Sequence, residues 1–323
     1  MMNEELNILF LGGAKRISLA ECFINSGKKK GFDVHIFSYE LTPYLPICAV
    51  GTVICGLKWT DSKIYDHLLE TIKQYNISIV FPLVDSAIVV ACRLKNLSEN
   101  TFIPCSDIDI CSIMYDKKAS ALWFSKMEIP VPKDYSAEKE IDSYPIILKP
   151  QTGSASKGIK IIYNAMELKE FEKQYNLEHY LIQQFISPST EYTVDCYVST
   201  TGKIISVVPR IRLEVTGGEV VRTITEKNEF LIDLSKKILN KGQFRGPITI
   251  QYIKDNESGR IFVMEINPRF GGGVIASILA GADITSCIID EYNNIPIDVI
   301  SVDQWNDKTL MTRYFKEVIF QCD

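Results

Sequence analysis

Short apolar runs and amphipathic stretches alternate along the first hundred residues of this chain. Residues 7–11 form an apolar run that ends in a Gly12-Gly13 turn, and residues 17–26 have helical spacing. Residues 33–38 read as a second strand, 63–75 as a helix, 77–81 as a strand and 86–95 as a helix. A strand-like piece at 101–105 closes the unit. Strands and helices alternating at this rhythm predict a parallel sheet with helices on its faces.

Beyond residue 105 the pattern changes. Residues 114–126 have helical spacing, and the 130–132 stretch with its two prolines breaks it. From Pro145 onwards short strands are separated by turn chemistry at 199–202, 216–218 and 255–259, which predicts antiparallel hairpins. A helix at 231–239 and a shorter one after Gly273, capped by Gly281, sit among them. The expected architecture is an α/β N-terminal unit followed by an α+β body.

Composition narrows the class. A chain of 323 residues exceeds one ordinary core, so two or three subdomains are expected. Apolar and charged fractions of 46% and 23% exclude a disordered chain. Thirty-five basic against forty acidic residues give a net charge of −5, which argues against a nucleic-acid partner. The longest apolar stretch, 77–92, is broken by Pro82 and Asp85 and falls short of a membrane span. The N-terminus is acidic where a signal peptide needs positive charge. Nine cysteines without a C-x-x-C pair and three scattered histidines read as reduced thiols in a cytoplasmic protein with no metal cluster of that type.

The Gly12-Gly13-Ala14 turn has an acidic partner in Glu40 but lacks the third glycine of a dinucleotide fingerprint. A packed first turn, or a small-substrate pocket at the strand ends, fits better. The 146–159 stretch carries more chemistry. A strand delivers Lys149, and a loop of small residues follows, with Gly153, Ser154, Ala155, Ser156 and Gly158. Such loops let backbone N–H groups approach phosphate oxygens beside a compact cation. The Walker pattern fails because position 159 is Ile, so a solvated hairpin loop remains the competing reading.

The third constellation is Gln251 with Glu265, Asn267 and Arg269. Residues 246–253 and 260–266 make two strands around a turn at 258–259. Strand alternation places Val263, Glu265 and Asn267 on one face and Phe262, Met264 and Ile266 on the other. A hairpin centred near Ser258 sets Gln251 opposite Glu265. Three hard oxygen donors on adjacent strands suit Mg²⁺, which completes its shell with phosphate and water. Arg269 follows and can hold a phosphoryl group or an oxyanion. The glycines at 271–273 suggest backbone approach to a ligand. Smaller pieces agree: a strand through Gln183, Gln184, Phe185 and Ile186 leads to Glu191, and Arg210, Arg212 and Arg222 can line an anionic cleft.

In this order and spacing the set resembles the ATP-grasp superfamily, most closely proteins related to the carbamoyl-phosphate synthetase large subunit. The resemblance covers nearly the whole chain. It implies a Rossmann-like domain at 1–112, a lid at 113–186 and an antiparallel ATP-binding subdomain at 187–323. By this resemblance Lys117 and Lys149 contact ATP phosphates and the 153–158 loop closes over them. Residues 183–186 frame the adenine, Glu191 meets the ribose, and Arg222 joins the nucleotide set. Gln251, Glu265 and Asn267 become the Mg²⁺ ligands, with Mn²⁺ as a substitute, and Arg269 and Lys149 become the catalytic cations. Gln184 departs from the glutamate that many relatives carry there, and Gln251 from the acidic ligand of several branches, although the carbamoyl-phosphate synthetase branch also tolerates Gln.

The implied chemistry is ATP-dependent activation of a carboxylate as an acyl phosphate, which an amine or thiol then displaces. Small carboxylates and amines are the implied partners, and a homodimer is compatible with the chain. Arg16, Asp85, Arg210, Arg212, Gly272 and Gly273 are the expected acceptor-pocket residues. A non-catalytic ATP-binding regulator and a kinase-like enzyme that stops at the acyl phosphate are the alternatives.

Overall fold

The alternation of the first hundred residues resolves into a parallel sheet. The computed structural model describes residues 4–136, 141–153 and 157–322. β1 (Glu4–Leu11), α1 (Ile17–Lys30), β2 (Phe32–Glu40), β3 (Thr52–Cys55), α2 (Ile64–Gln74), β4 (Ile79–Pro82) and α3 (Asp85–Lys95) follow in chain order. The strands lie in the order β3-β2-β1-β4, all parallel. β3 was hidden in the sequence by its four-residue length between Gly51 and Gly56. The expected strand at 101–105 is only a single bridge from Phe102 to Ile79, because Pro104 has no N–H to extend the ladder.

The single helix expected at 114–126 is two helices, α4 (Ile108–Tyr115) and α5 (Lys117–Lys126). Asp116 between them is extended, and its carboxylate accepts the N–H groups of Lys118 and Ala119. An aspartate that caps a new helix breaks the old one. Lys117 thereby becomes the first residue of α5.

Both helices pack on the C-terminal sheet, since Ile110, Met114 and Phe124 share its core. The small lid core starts later, with Tyr135, Ile146, Leu148, Ile162 and Ile182. Around it lie β5 (Ile146–Pro150), β6 (Lys160–Ile162), α6 (Ala165–Glu172) and β7 (Tyr180–Gln184), with strand order β6-β5-β7.

The C-terminal body comprises β8 (Ser189–Val198), β9 (Ile204–Thr216), β10 (Glu219–Thr225), α7 (Glu229–Gly242), β11 (Gly246–Asp255) and β12 (Ile261–Asn267). α8 (Val274–Leu279), α9 (Ile284–Tyr292) and β13 (Leu310–Thr312) complete it. Its antiparallel sheet runs β12-β11-β8-β9-β10-β13. Tyr192, Val194, Ile250 and Tyr252 face α7 and close the largest core. On the opposite side α8 and α9 join α1 and the parallel sheet in one apolar cluster. Phe23, Phe81 and Phe270 meet there, with ring centroids 5.2 to 6.2 Å apart. The two larger units are thus bonded through a shared core, and the cleft between them has a fixed floor.

One departure from strand alternation matters. Tyr252 pairs with Val263 and Gln251 with Glu265, so Met264 is an extra residue, a β-bulge in β12. Val263 turns into the α7 core with Ile266, and Phe262 packs with Met264, Ile186 and Ile253 in a separate small cluster. The expected grouping of Val263 with Glu265 and Asn267 is therefore corrected by the bulge.

Candidate active site

Alternate residues of four neighbouring strands furnish one polar face. β11 contributes Gln251, β12 contributes Glu265 and Asn267, β8 contributes Glu191 and Thr193, and β9 contributes Arg212. Their registers align them, since Gln251 stands between Glu265 and Thr193. Gln251 Nε2 donates to Glu265 Oε1 at 2.6 Å and Asn267 Nδ2 to the same oxygen at 2.9 Å. Arg212 Nη1 donates to Gln251 Oε1 at 3.4 Å, and its Nε lies 3.0 Å from Glu191 Oε2. That Nε–H is not aligned for a hydrogen bond, and the buried Thr193 hydroxyl also has no partner among the described residues. Burial lowers the Arg212 pKa, opposed by Glu191 and Glu265.

The lid brings Lys149 to this face, and α5 brings Lys117 beside it. Lys149, on β5, is half-buried and donates to Gln183 Oε1 at 3.0 Å. Burial pulls its pKa down, Glu265 and Glu191 oppose that, and Lys117 adds to it. Lys117 at the start of α5 donates to the carbonyl of Gly153 at 2.8 Å, and its own N–H bonds Gln151 O. Ser154, Ala155 and Ser156 lie outside the described residues.

These donors fit a hard divalent cation. Among the described residues no group of three or more His, Cys, Asp or Glu could hold a metal ion. The candidate set is instead one carboxylate and two amides, whose oxygens turn towards a cation by rotating the amide planes. Two polar atoms without partners, Thr193 Oγ1 and Arg212 Nε, flank the set, so its polar capacity exceeds what the protein itself satisfies.

At the other end of the cleft Arg269 reaches across to the N-terminal unit. Its Nε donates to Asp85 at 2.6 Å, and Nη1 donates to Phe270 O at 3.0 Å. Arg16 lies close by, and a Cβ on Gly272 would stand 3.1 Å from Arg16 Nη1 and 3.7 Å from Arg313 Nη2. Arg313 donates to Glu219 at 2.9 Å and to the Gly272 carbonyl. Burial, reinforced by Arg269, lowers the Arg16 pKa to about 10.

Several expected site residues are placed elsewhere. Arg210 is 1% exposed, with its Nε 2.8 Å from Asp195, so it is closed to a substrate. Ser277 also donates to Asp195, at 2.7 Å. Gly273 is buried against that pair, and a Cβ there would stand 2.7 Å from the Arg210 guanidinium. Packing, not ligand approach, demands glycine at 273. Arg222 stands half-exposed and ion-paired with Glu214 at 3.8 Å, at a register shift in the pairing of β10 with β9. Gln183 is 3% exposed and supports Lys149 instead of framing a base. The N–H groups of Gln184 and Phe185 are taken by Lys133 O and Pro145 O.

In the first turn, the Gly13 N–H donates to Ser38, which in turn donates to Glu40. Burial raises the Glu40 pKa, opposed by hydrogen bonds from Ser38 and the Ala14 and Gly13 amides. The Gly13 amide that a dinucleotide phosphate would need is thus taken by Ser38, itself held by Glu40. Sequence reasoning missed Arg313, Glu219, Thr193 and Asp195. Only the alternation of β8 hinted at the last two.

Known proteins resemble this chain in sequence and in fold. Residues 176–313 match the family described as ATP-grasp in the biosynthetic pathway with Ter operon. The chain is 30% identical over 187 residues to the large chain of carbamoyl phosphate synthase from Pyrococcus furiosus, covering 48% of this chain and 16% of that one. It is 26% identical over 256 residues to D-alanine–D-alanine ligase from Petrotoga mobilis, covering 72% of this chain and 83% of the ligase. It spans less than a third of the length of the first relatives that it matches. The crystal structure of the biotin carboxylase domain of 2-oxoglutarate carboxylase from Hydrogenobacter thermophilus, in complex with MgADP, ADP and bicarbonate, superposes with a TM-score of 0.74. Identity there is 15%, over 96% of this chain and 74% of that one. The chain carries an ATP-grasp domain and is homologous to the carbamoyl phosphate synthase large chain and other ATP-grasp proteins. Among the described residues no helix is long and apolar enough to cross a membrane.

Proposed function

We propose that this chain is an ADP-forming ligase that uses ATP and Mg²⁺, or Mn²⁺, to activate a small carboxylate for attack by an amine or thiol. The observation that carries this reading is the convergence of Lys149 and Lys117 from above with Gln251, Glu265 and Asn267 from below, and Arg269 at the cleft's far end. In this reading the lysines and the 153–158 loop hold the phosphates. Phe185 and Ile186 border the base, with Met264 clustered beside Ile186, and Glu191 takes the ribose hydroxyls. Glu265, Asn267 and Gln251 would hold the cation, which neutralises charge on the phosphate oxygens when bound.

The carboxylate oxygen attacks the γ-phosphorus, the bond to the β,γ-bridging oxygen breaks, and ADP leaves. Arg269 and Lys149 offset the charge on the oxygens in flight. The amine lone pair then adds to the acyl carbon, phosphate departs, and the amine's surplus proton passes to solvent. Water would hydrolyse the acyl phosphate, so the lid serves to exclude it. Residues 1–112 supply the acceptor side of the pocket through Asp85 and Arg16.

The test is calorimetric titration of a non-hydrolysable ATP analogue with Mg²⁺ into wild type and Lys149→Ala, followed by a screen of acids and amines for ADP release. Binding should weaken about 10- to 100-fold in the variant, the scale of a lost charge-assisted contact. Equal affinity of the two proteins would sink the phosphate assignment. Product analysis separates a ligase from an enzyme that stops at the acyl phosphate.

A further inference from the structure

The cleft end beyond Arg269 holds more positive charge than one activated carboxylate needs. Arg269 has Asp85 and Arg313 has Glu219, but the Arg16 guanidinium has no hydrogen-bond or ion-pair partner among the described residues. Arg16 sits at the N-terminus of α1, a helix of 14 residues. No side chain caps that end and its first turn holds no acidic residue. The amide end of such a helix carries partial positive charge and exposed N–H groups. From the opposite end of the chain, Arg313 is anchored on Glu219 and on the Gly272 carbonyl, which aims its guanidinium at the same spot. Gly272 lies between them, and any side chain there would crowd Arg16. Counted over the five groups, three cations face two carboxylates, which leaves one positive charge uncompensated.

A partly buried guanidinium without a contacting counter-ion is destabilised, and desolvation together with Arg269 accordingly depresses the Arg16 pKa. The remedy is an anion supplied by the ligand. We infer that Arg16, Arg313 and the N-terminus of α1 form a second anion subsite, so that the substrate carries another acidic group besides the carboxylate activated at Arg269. This rests on the ligase reading and narrows its acceptor to a dicarboxylate or a phosphorylated carboxylate. Arg16 and Arg313 would set specificity and leave the chemistry to Arg269.

The test compares three probes by calorimetry, with and without ADP and Mg²⁺: butyrate with one acidic group, glutarate with two carboxylates, and 3-phosphoglycerate with a carboxylate and a phosphate. One of the two-acid probes should bind wild type at least about tenfold more tightly than butyrate, the scale of one charge-assisted contact. Which of the two binds tells carboxylate from phosphate. Arg16→Gln and Arg313→Gln should erase that preference while leaving nucleotide affinity within about twofold, as expected for a contact outside the nucleotide site. A variant that is merely loosened would lose nucleotide and all probes together. Equal binding of butyrate and both two-acid probes by wild type, or a preference that survives both substitutions, overturns the subsite. Nucleotide that fails to bind wild type counts against the ligase reading, whereas the titrations without nucleotide still decide the anion question.

Discussion

Arg210 and Arg212 stand two residues apart on β9 and belong to opposite worlds. Arg210 is buried and held by Asp195 and Thr223, and Asp195 takes a further bond from Ser277. Arg212 keeps 12% of its side chain exposed, leans on a Glu191 that is 43% exposed, and leaves its Nε–H without an acceptor. The first neighbourhood is saturated and closed; the second is short of partners and open to the cleft. Saturation, rather than residue type or strand face, separates a structural charge from one that awaits a ligand.

The sharpest way to break this comparison is to remove one member of the closed pair. Asp195→Ala strands a buried guanidinium and should cost about 3–5 kcal/mol of stability in urea unfolding. The same measurement on Arg212→Met should show a change under about 1 kcal/mol, as for other partly exposed ion pairs. Similar losses in the two variants would refute the distinction. Next in size, Glu265→Ala should lower ADP formation at least about 100-fold, as when a charge-stabilising group is lost, while thermal unfolding stays near wild type. Turnover that persists would show that the cation, if one is used, is held elsewhere.

A loss well below that of Asp195 belongs to Asp283, a saturated acid away from the cleft. Burial pushes its pKa up, but hydrogen bonds from Thr285, Ser286 and Ser26 outweigh that and hold it below 3.8. It also caps α9 through the Ser286 N–H. Asp283→Ala should therefore cost about 1 kcal/mol at neutral pH. Because the folded value lies below the unfolded one, the charge-dependent part is complete above pH 3.8 and disappears as pH falls through the folded value. Stability curves of wild type and Asp283→Asn, measured from pH 6 downward, should converge in acid; parallel curves would remove the charge from the account.

The sequence made the large pattern legible because period-2 and period-3.6 spacing report burial directly. Lys149, Glu265 and Asn267 could be read from it, since each stands at a fixed offset inside a strand. What stayed hidden depended on contacts between distant segments. The Met264 bulge cancels the alternation that a regular strand assumes, and nothing in the local residues announces it. Asp116 splits a helix through a cap that helical spacing does not reveal. Arg313 lies 44 positions beyond Arg269, just after a three-residue edge strand, and only the fold brings it to Gly272.

Gly246, at the start of β11, has a positive φ of 78°, and a Cβ there would stand 1.9 Å from the Pro104 carbonyl oxygen. Ser106 reinforces that junction by bonding both backbone groups of Arg245. The contact sets the phase of everything downstream. Even-numbered residues of β11 (248, 250 and 252) lie in the core, and Gln251 lies on the cleft side. A slip of one position would drive the Gln251 amide into hydrocarbon and swing Tyr252 out towards the nucleotide cleft. The N-terminal unit thus works as an index mark for the strand: it fixes which residues count as odd, and so which side of β11 is chemical.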